Sequence, residues 1–446
     1  MTEVQVYVTI AVFGAVILAI AFDVIDMAVA TLLGVSVLIG GGILNQQDIL
    51  AAIETAGGPL SLLFGGMVVA RTLASTGIFE RVGAIYLRAT RGSGRRFLLL
   101  LLALVAPLCA FLPNATTVIL LAPIVIRVAA ALEVDVAPPL ILAAVVSNSA
   151  GLLTLVGDPA TFLVGSSIGM SFGQYLRTVS LGGLIALVLL VPLLPLLMRD
   201  LWRLRRELPP EEPSRPLERP WFALVALAVL GLMLALFLFG ENLPTRIVPP
   251  AVAIIAASLA LLVIYGARVE PVDRVLHDID WKTLLFLGGI FCLVQAFTKT
   301  GLLQRLSLRL YDWFGTDMSI LALALIAGIG FLSSLLANIP VVAASIMMVK
   351  GYLVAAAVAP EAALAAHFTE WPTTTIPVFV AMMFGATLGG NATVIGASAN
   401  IVTAGICARN GTPLTFAGWL RYGLPLTAVQ LAMAALYVLG LFRVLR

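Results

Sequence analysis

The chain has 446 residues, of which 61% are apolar and only 11% charged. A soluble domain carries roughly 25% charged residues, so a water-facing surface cannot be built from this composition. The net charge of +3 is too small to imply an acidic partner, and a soluble enzyme, a nucleic-acid binder and a single-anchor receptor are all excluded.

Runs of about 20 apolar residues, the length that crosses a bilayer as a helix, recur from end to end. They predict an all-α, multi-pass integral membrane protein. The N-terminus enters an apolar run without a basic region or a small-residue cleavage site, which reads as a first span and not a signal peptide. Spans are predicted at 4–22, 24–43 and 59–76, followed by a basic segment with Arg81, Arg88, Arg91, Arg95 and Arg96. Residues 97–131 are apolar but broken by Leu-Pro-Asn at 112–114. Each arm is then too short to cross comfortably, and the pair predicts a re-entrant hairpin with its tip at membrane depth. Segment 137–168 is interrupted by Val-Gly-Asp-Pro at 156–159, and a span at 178–198 closes the first half. The polar stretch 199–220 reads as a linker.

The pattern then returns. Spans near 221–240, 247–265 and 283–298 lead to a segment with Lys299, Arg305 and Arg309. A second hairpin, 319–355, breaks at Ala-Asn-Ile-Pro (337–340); a second interrupted span, 376–407, breaks at 395–398; and 422–441 ends the chain. The halves also match in letters. Thr76, Gly77, Arg81 and Asn114 recur 224 residues later as Thr300, Gly301, Arg305 and Asn338. Gly151, Thr154 and Gly157 recur 239 later as Gly390, Thr393 and Gly396. The chain thus divides into a first repeat (1–198), the linker (199–220) and a second repeat (221–446), each with about five spans, a hairpin and a broken helix. Five is odd, so the second repeat is expected to be inverted in the membrane. The basic cluster 81–96 and the linker then share one side, which the positive-inside rule makes the cytoplasmic face of a prokaryotic-type plasma membrane.

Breaking four helices at membrane depth is costly unless the freed backbone groups face protein, ions, water or substrate. Breaks in matching places point to one composite site near the midplane. At the first break Asn114, Thr116 and Thr117 begin a helix; Asn114 is either its cap or, with backbone carbonyls, a ligand for a small cation such as Na⁺, and Asn338 repeats it. Asp158 before Pro159 makes a good helix start, and an intramembrane carboxylate is also a candidate proton or cation site. Its repeat partner is Ala397, so Ser398 is the expected cap in that half. The last break supplies Gly389, Gly390 and Gly396 for close backbone approach or helix packing. It also supplies Asn391, Thr393, Ser398 and Asn400 as neutral donors and acceptors. Asn148, Thr154 and Gly157 are the first-half candidates.

Other residues are weaker candidates. Arg71 is either an anion ligand or a partner of Glu54 or Glu80. Asp23 and Asp26 belong to the first interfacial turn, and His367 and Glu370 lie in a second-half insertion that could gate the site. Cys109, Cys292 and Cys407 lack the spacing of a zinc site or a disulfide framework. No GxxxxGK[ST] motif is present, so no nucleotide cofactor is implied. The energy source must be an ion gradient, Na⁺ or H⁺, or the substrate's own gradient.

These motifs resemble the ion-transporter superfamily of arsenite permeases, the melanosomal P protein, and citrate and dicarboxylate–sodium carriers. Residues 388–405, Leu-Gly-Gly-Asn-Ala-Thr-Val-Ile-Gly-Ala-Ser-Ala-Asn-Ile-Val-Thr-Ala-Gly, look most like the P-protein branch. Residues 331–340 and 122–126 look like arsenite permeases. The resemblance implies a homodimer with elevator-type movement, in which hairpins and broken helices slide against the first three spans of each half. The superfamily's Ser-Asn-Thr hairpin signature keeps only Asn114 and Asn338 here. The leading functional reading is a secondary transporter of a small anion, an inorganic oxyanion or a di- or tricarboxylate, coupled to Na⁺ or H⁺. Arsenite or antimonite efflux, a cation/proton antiporter using Asp158, and a passive channel are the alternatives.

Overall fold

The computed structural model describes residues 3–21, 24–207, 219–336, 338–364 and 368–445. These residues form an all-α polytopic membrane protein in which several helices are bent or broken. Ten of the described helices are long and apolar enough to cross a membrane. That set includes three hairpin arms, while the helix Met27–Gly40 and the pieces of both broken spans fall short of it.

Helices α1 (Glu3–Ala21) and α2 (Met27–Gly40) are joined by a turn in which the Asp26 carboxylate accepts the Ala28 N–H at 2.9 Å. Asp26 also pairs with Lys282, and that ammonium holds its carboxyl below the usual carboxylate range. Asp23 lies outside the described residues. Helix α3 (Gln46–Ala74) starts well before the predicted span at 59. Asn45 and Asp48 form a reciprocal capping box there, and Pro59 is absorbed inside the 29-residue helix. The basic segment after it is itself helical: α4 (Ile78–Thr90) is amphipathic, and Gly77 enters it at φ +72°. Gly301 enters α17 (Leu302–Phe314) at the same +72°, a left-handed conformation that glycine tolerates without strain.

The first hairpin is α5 (Gly94–Cys109) and α6 (Asn114–Ala131). Its tip rests on the third helix, where a Cβ on Gly66 would meet Pro113 Cδ at 2.9 Å. The first broken span is α7 (Ala137–Ala150) and α8 (Pro159–Ser167). A helical run across 172–197 follows, made of α9 (Phe172–Tyr175), a π turn, α10 (Leu181–Val188) and α11 (Leu190–Leu197). After the short α12 (Arg199–Arg203), the chain pairs back on the loop before the first hairpin, with Gly94 N–H to Leu204 O at 3.1 Å and Arg206 N–H to Gly92 O at 2.9 Å. The two basic stretches therefore sit at one end of the bundle. Residues 208–218 of the linker lie outside the described residues.

The second half contains α13 (Pro220–Phe239), α14 (Pro249–Ala267), α15 (Val272–His277), α16 (Trp281–Lys299), α17, and the hairpin of α18 (Met318–Leu335) and α19 (Asn338–Ala355). The second broken span is α20 (Ile376–Gly389) and α21 (Ser398–Arg409), and α22 (Phe416–Val444) ends the chain. This break begins near Gly390, earlier than the expected 395. Helices α7 and α20 are buried on all sides, as expected for apolar helices without a polar face. Glycines bring α20 against α18: a Cβ on Gly389 would lie 2.4 Å from the Gly330 carbonyl oxygen.

The offsets read in the letters also relate contacts at the breaks. A Cβ on Gly157 would meet Gly151 O at 2.9 Å and Cys109 O at 3.1 Å; on Gly396 it would meet Gly390 O at 2.5 Å and Ser333 O at 3.0 Å. Each break is thus pressed against its own hairpin tip by backbone. Gly396→Ala is expected to lower stability by about 1–3 kcal/mol through overpacking. Gly405→Ala, whose Cβ meets nothing within 4 Å, should be near neutral. Thermal unfolding of both variants in detergent checks this, and equal midpoints would refute the backbone contact.

Candidate functional site

Both hairpin tips and both helix breaks meet around one cavity of about 200 Å³. Its lining includes Pro113, Asn114, Thr116, Asn148, Asp158, Asn338, Ala397 and Ser398, with Arg71, Asp278 and Thr283 toward one rim. Seven of the residues singled out from the sequence are therefore brought together: Arg71, Asn114, Thr116, Asn148, Asp158, Asn338 and Ser398.

Asp158 is 2% exposed and caps α8, accepting the Ala160 N–H at 3.2 Å. Its carboxylate also accepts from Asn338 Nδ2 at 3.2 Å and from the Thr387 hydroxyl at 2.9 Å. No ion pair to it forms among the described residues, so neutral donors alone satisfy a buried carboxylate. The aspartate thereby ties the first broken span to the second hairpin and to α20. Position 397, its repeat partner, is alanine, and the first-hairpin side of the cavity has no carboxylate in that place.

Two expectations about caps are corrected. Asn114 is the first residue of α6, whose N-cap is Pro113 with no side-chain hydrogen bond. Ser398 is exposed, and the N-cap of α21 is Ala397, again without a side-chain bond. In both helices the cap position holds a residue with no side-chain acceptor, so no N-cap side chain takes the N–H groups that begin the helix, although Asn400 N–H donates to Ala397 O at 3.0 Å.

The remaining candidates lie behind the cavity. Thr154 donates to the carbonyl of Ala110 and Thr393 to that of Ser334, each holding a break onto its hairpin tip. Gly157, Gly390 and Gly396 make the close backbone contacts described above, and Gly389 packs on α18. Thr117 is fully buried, its hydroxyl without a partner among the described residues. Asn391 and Asn400 are also fully buried; they donate inward and orient Asn148 from behind. Ala337 and His367 lie outside the described residues, and Glu370 is exposed on the surface.

Arg71 has partners that the sequence did not suggest, and the side chain of Glu80 lies outside the described residues. Arg71 donates to Glu270 and to Asp278, each at 2.8 Å, and to Ser75 at 2.6 Å, joining α3 to the loops around α15. The guanidinium holds the Asp278 carboxyl below the usual carboxylate range. The pair therefore contributes at neutral pH and fades only as pH falls through that lowered value. Sequence reasoning missed Thr387 and Gln430. The repeat offset would have found the first, because Asn148 lies 239 residues before Thr387. Among the described residues no group of three or more His, Cys, Asp or Glu side chains is placed to hold a metal ion.

A polytopic helical membrane protein whose broken helices meet at a small cavity with polar groups at the helix ends is a transporter of small solutes. The chain belongs to the citrate transporter family, whose model, described as "Citrate transporter", matches residues 17–369. It falls within the broad ion-transporter superfamily that also holds P-protein-like members. It is 41% identical to an uncharacterized transporter of Synechocystis sp. over 96% of each chain. It is 26% identical to the human P protein, covering 98% of this chain and 60% of that one. Among solved structures the YdaH transporter of Alcanivorax borkumensis shares the fold, with a TM-score of 0.53, 13% identity, and coverage of 87% of this chain and 86% of that one.

Thr387→Val removes one donor to Asp158 and is expected to destabilise the protein by about 1.5–3 kcal/mol, the range for hydrogen bonds to charged groups. Denaturant unfolding in detergent, with the exposed Ser36→Ala as control, measures the difference. A loss no larger than the control's would show that the carboxylate does not depend on Thr387.

Proposed function

We propose that the chain is a secondary active transporter carrying a small anion, an inorganic oxyanion or a di- or tricarboxylate, coupled to Na⁺ or H⁺. The observation that carries this reading is the meeting of helix N-termini at one cavity. Helices α6, α8, α19 and α21 all begin at its wall, and helix N-termini present free N–H groups and positive partial charge. Of the three whose cap lies among the described residues, only α8 is neutralised by a carboxylate. Helices α6 and α21, capped by Pro113 and Ala397, have no side-chain acceptor, so an anion is the complementary occupant. The volume of about 200 Å³ lies below the roughly 300–1,000 Å³ of drug-sized pockets, which suits a small solute.

Asp158, held by Asn338 and Thr387, is the group through which H⁺ would couple. The side-chain oxygens of Asn114 and Asn338, with backbone carbonyls at the tips, are where Na⁺ would bind. In this reading the halves are inverted repeats (1–198 and 221–446), and hairpins and broken helices (α5–α8, α18–α21) move as one body. They slide as an elevator against α1–α3, α13, α14 and α16, in a homodimer with the linker in the cytoplasm. The packing supports a common moving body: α6 lies on α7 and α21, and α19 on α8 and α20.

Uptake and efflux in proteoliposomes with imposed Na⁺ or H⁺ gradients test the reading, with succinate, citrate, sulfate, phosphate and arsenite as the panel. Gradient-driven movement of an anion is the expected result; movement of arsenite alone would replace it with neutral metalloid export. Asp158→Asn is expected to lower H⁺-driven uptake about tenfold or more, about 1.4 kcal/mol or more in the barrier, and to flatten its pH dependence. An unchanged pH profile would leave Asp158 as a helix cap and hairpin tie.

A further inference from the structure

The cavity wall has a hydrogen-bonding polarity that the amides behind it cannot reverse. We propose that this makes Asn148 a specificity-determining residue, whose Oδ1 accepts a hydrogen bond from an O–H group on the transported anion. The inference rests on the anion reading above and narrows it to anions that carry an O–H, either a hydroxycarboxylate or a protonated oxyanion.

The derivation starts from groups whose hydrogen-bonding sense is fixed. Asn400 Nδ2 donates to the backbone carbonyls of Gly390 and Thr393, both at 2.8 Å. A carbonyl only accepts, so this amide cannot be turned around, and Asn400 Oδ1 faces Asn148 as an acceptor. On the other flank, the Ser149 hydroxyl gives its proton to Val145 O at 2.8 Å. Its oxygen is therefore left to accept. Gln430 Nε2 donates to that oxygen at 2.9 Å and to Ala186 O at 3.2 Å. Gln430 Oε1 then accepts from Asn391 Nδ2 at 3.0 Å, and the same Nδ2 reaches Ser149 Oγ at 3.1 Å. Asn391 Oδ1 is thus also turned toward Asn148.

Between two acceptors Asn148 has no choice. Its Nδ2 donates to Asn391 Oδ1 and to Asn400 Oδ1, each at 3.0 Å, which uses both amide protons. Its Oδ1 is left over, buried and without a partner among the described residues, on a side chain that lines the cavity and is 2% exposed. Asn114 Oδ1 is a second buried acceptor without a partner on the same wall. A fully ionised oxygen placed there would set lone pairs against lone pairs, whereas an O–H would complete the bond. The N–H groups that begin α6 and α21, which no cap side chain takes, remain for the ionised oxygens of the same ligand. Sites built to hydrogen-bond a substrate hydroxyl reject the analogue lacking it more strongly than apolar pockets do. Asn391, Asn400 and Gln430 are positioning residues that act through Asn148.

The test is competition against transport by the intact protein in proteoliposomes, using pairs that differ in the O–H. Malate is set against succinate, citrate against propane-1,2,3-tricarboxylate, and hydrogen phosphate against sulfate. The O–H member of at least one pair is expected to compete at least about tenfold better. A carboxylate pair showing the difference names a hydroxycarboxylate as the ligand; the phosphate pair names a protonated oxyanion. In Asn148→Leu the preference should collapse toward equality. Because leucine leaves two buried acceptors unpaired and can cost the fold, ligand-induced thermal shifts of the wild-type protein with the same pairs provide the second measurement. Equal competition within every pair, or a preference retained in Asn148→Leu, overturns the role of Asn148 and leaves the anion reading standing. No competition by any anion overturns both.

Discussion

The structure depends on one constraint: backbone groups freed inside hydrocarbon must find partners within the protein. Four helix interruptions meet at one cavity here, and each broken span is held to its own hairpin tip. Thr154 reaches the Ala110 carbonyl and Thr393 the Ser334 carbonyl, so each broken span supplies the hydroxyl that its hairpin tip needs. Glycine at 157 and 396 lets the two backbones touch. The cavity is the space that this mutual closure leaves at the centre. Its polar groups come from the helix ends, set among apolar flank residues such as Leu63, Met67 and Ile119.

Within that frame the two halves of the site differ at several matched positions, and one of these differences has large electrostatic consequences. Position 158 is aspartate and its repeat partner 397 is alanine. On the aspartate side Asn338 is occupied as a donor to the carboxylate, and α8 has its N-terminal charge neutralised. On the alanine side Asn114 and Asn148 have oxygen atoms to spare, and no cap side chain takes the N–H groups that begin α21. Two breaks that match in their letters thereby present different groups to the cavity, a carboxylate on one side and spare amide oxygens on the other.

Much of this was legible in the letters because hydrocarbon admits few solutions. The helix starts at Asn114, Pro159, Asn338 and Ser398 lie within a few residues of the interruptions read from the letters. What was less legible depends on tertiary partners. The start of α3 was hidden because Asp48, Glu54 and Gly57-Gly58-Pro59 read as a loop, although a capping box and a buried helix face hold them helical. The partners of Arg71 come from residues about 200 positions away. Asn391 and Asn400 carry the right chemistry for a ligand, yet the amide of Asn391 is spent on Asn148, Ser149 and Gln430, and that of Asn400 on Asn148 and backbone carbonyls. Residue type alone cannot tell an amide that faces the ligand from one that orients its neighbour.

That distinction governs how the site can discriminate. A lone asparagine in a cavity wall turns its amide to suit whatever arrives, and selects neither donor nor acceptor. Asn148 has lost that freedom, because the carbonyls of Val145, Ala186, Gly390 and Thr393 propagate a single sense through Ser149, Gln430, Asn391 and Asn400. Those carbonyls belong to α7, α10 and the second break, so the polarity presented to the ligand is set by how these elements are packed. Trp419, donating to the Asn391 carbonyl at 3.0 Å, adds α22 to the same arrangement. A conformational change that carried these elements together would preserve the polarity on both sides of the membrane. One that separated them would release the amide, and with it the selectivity.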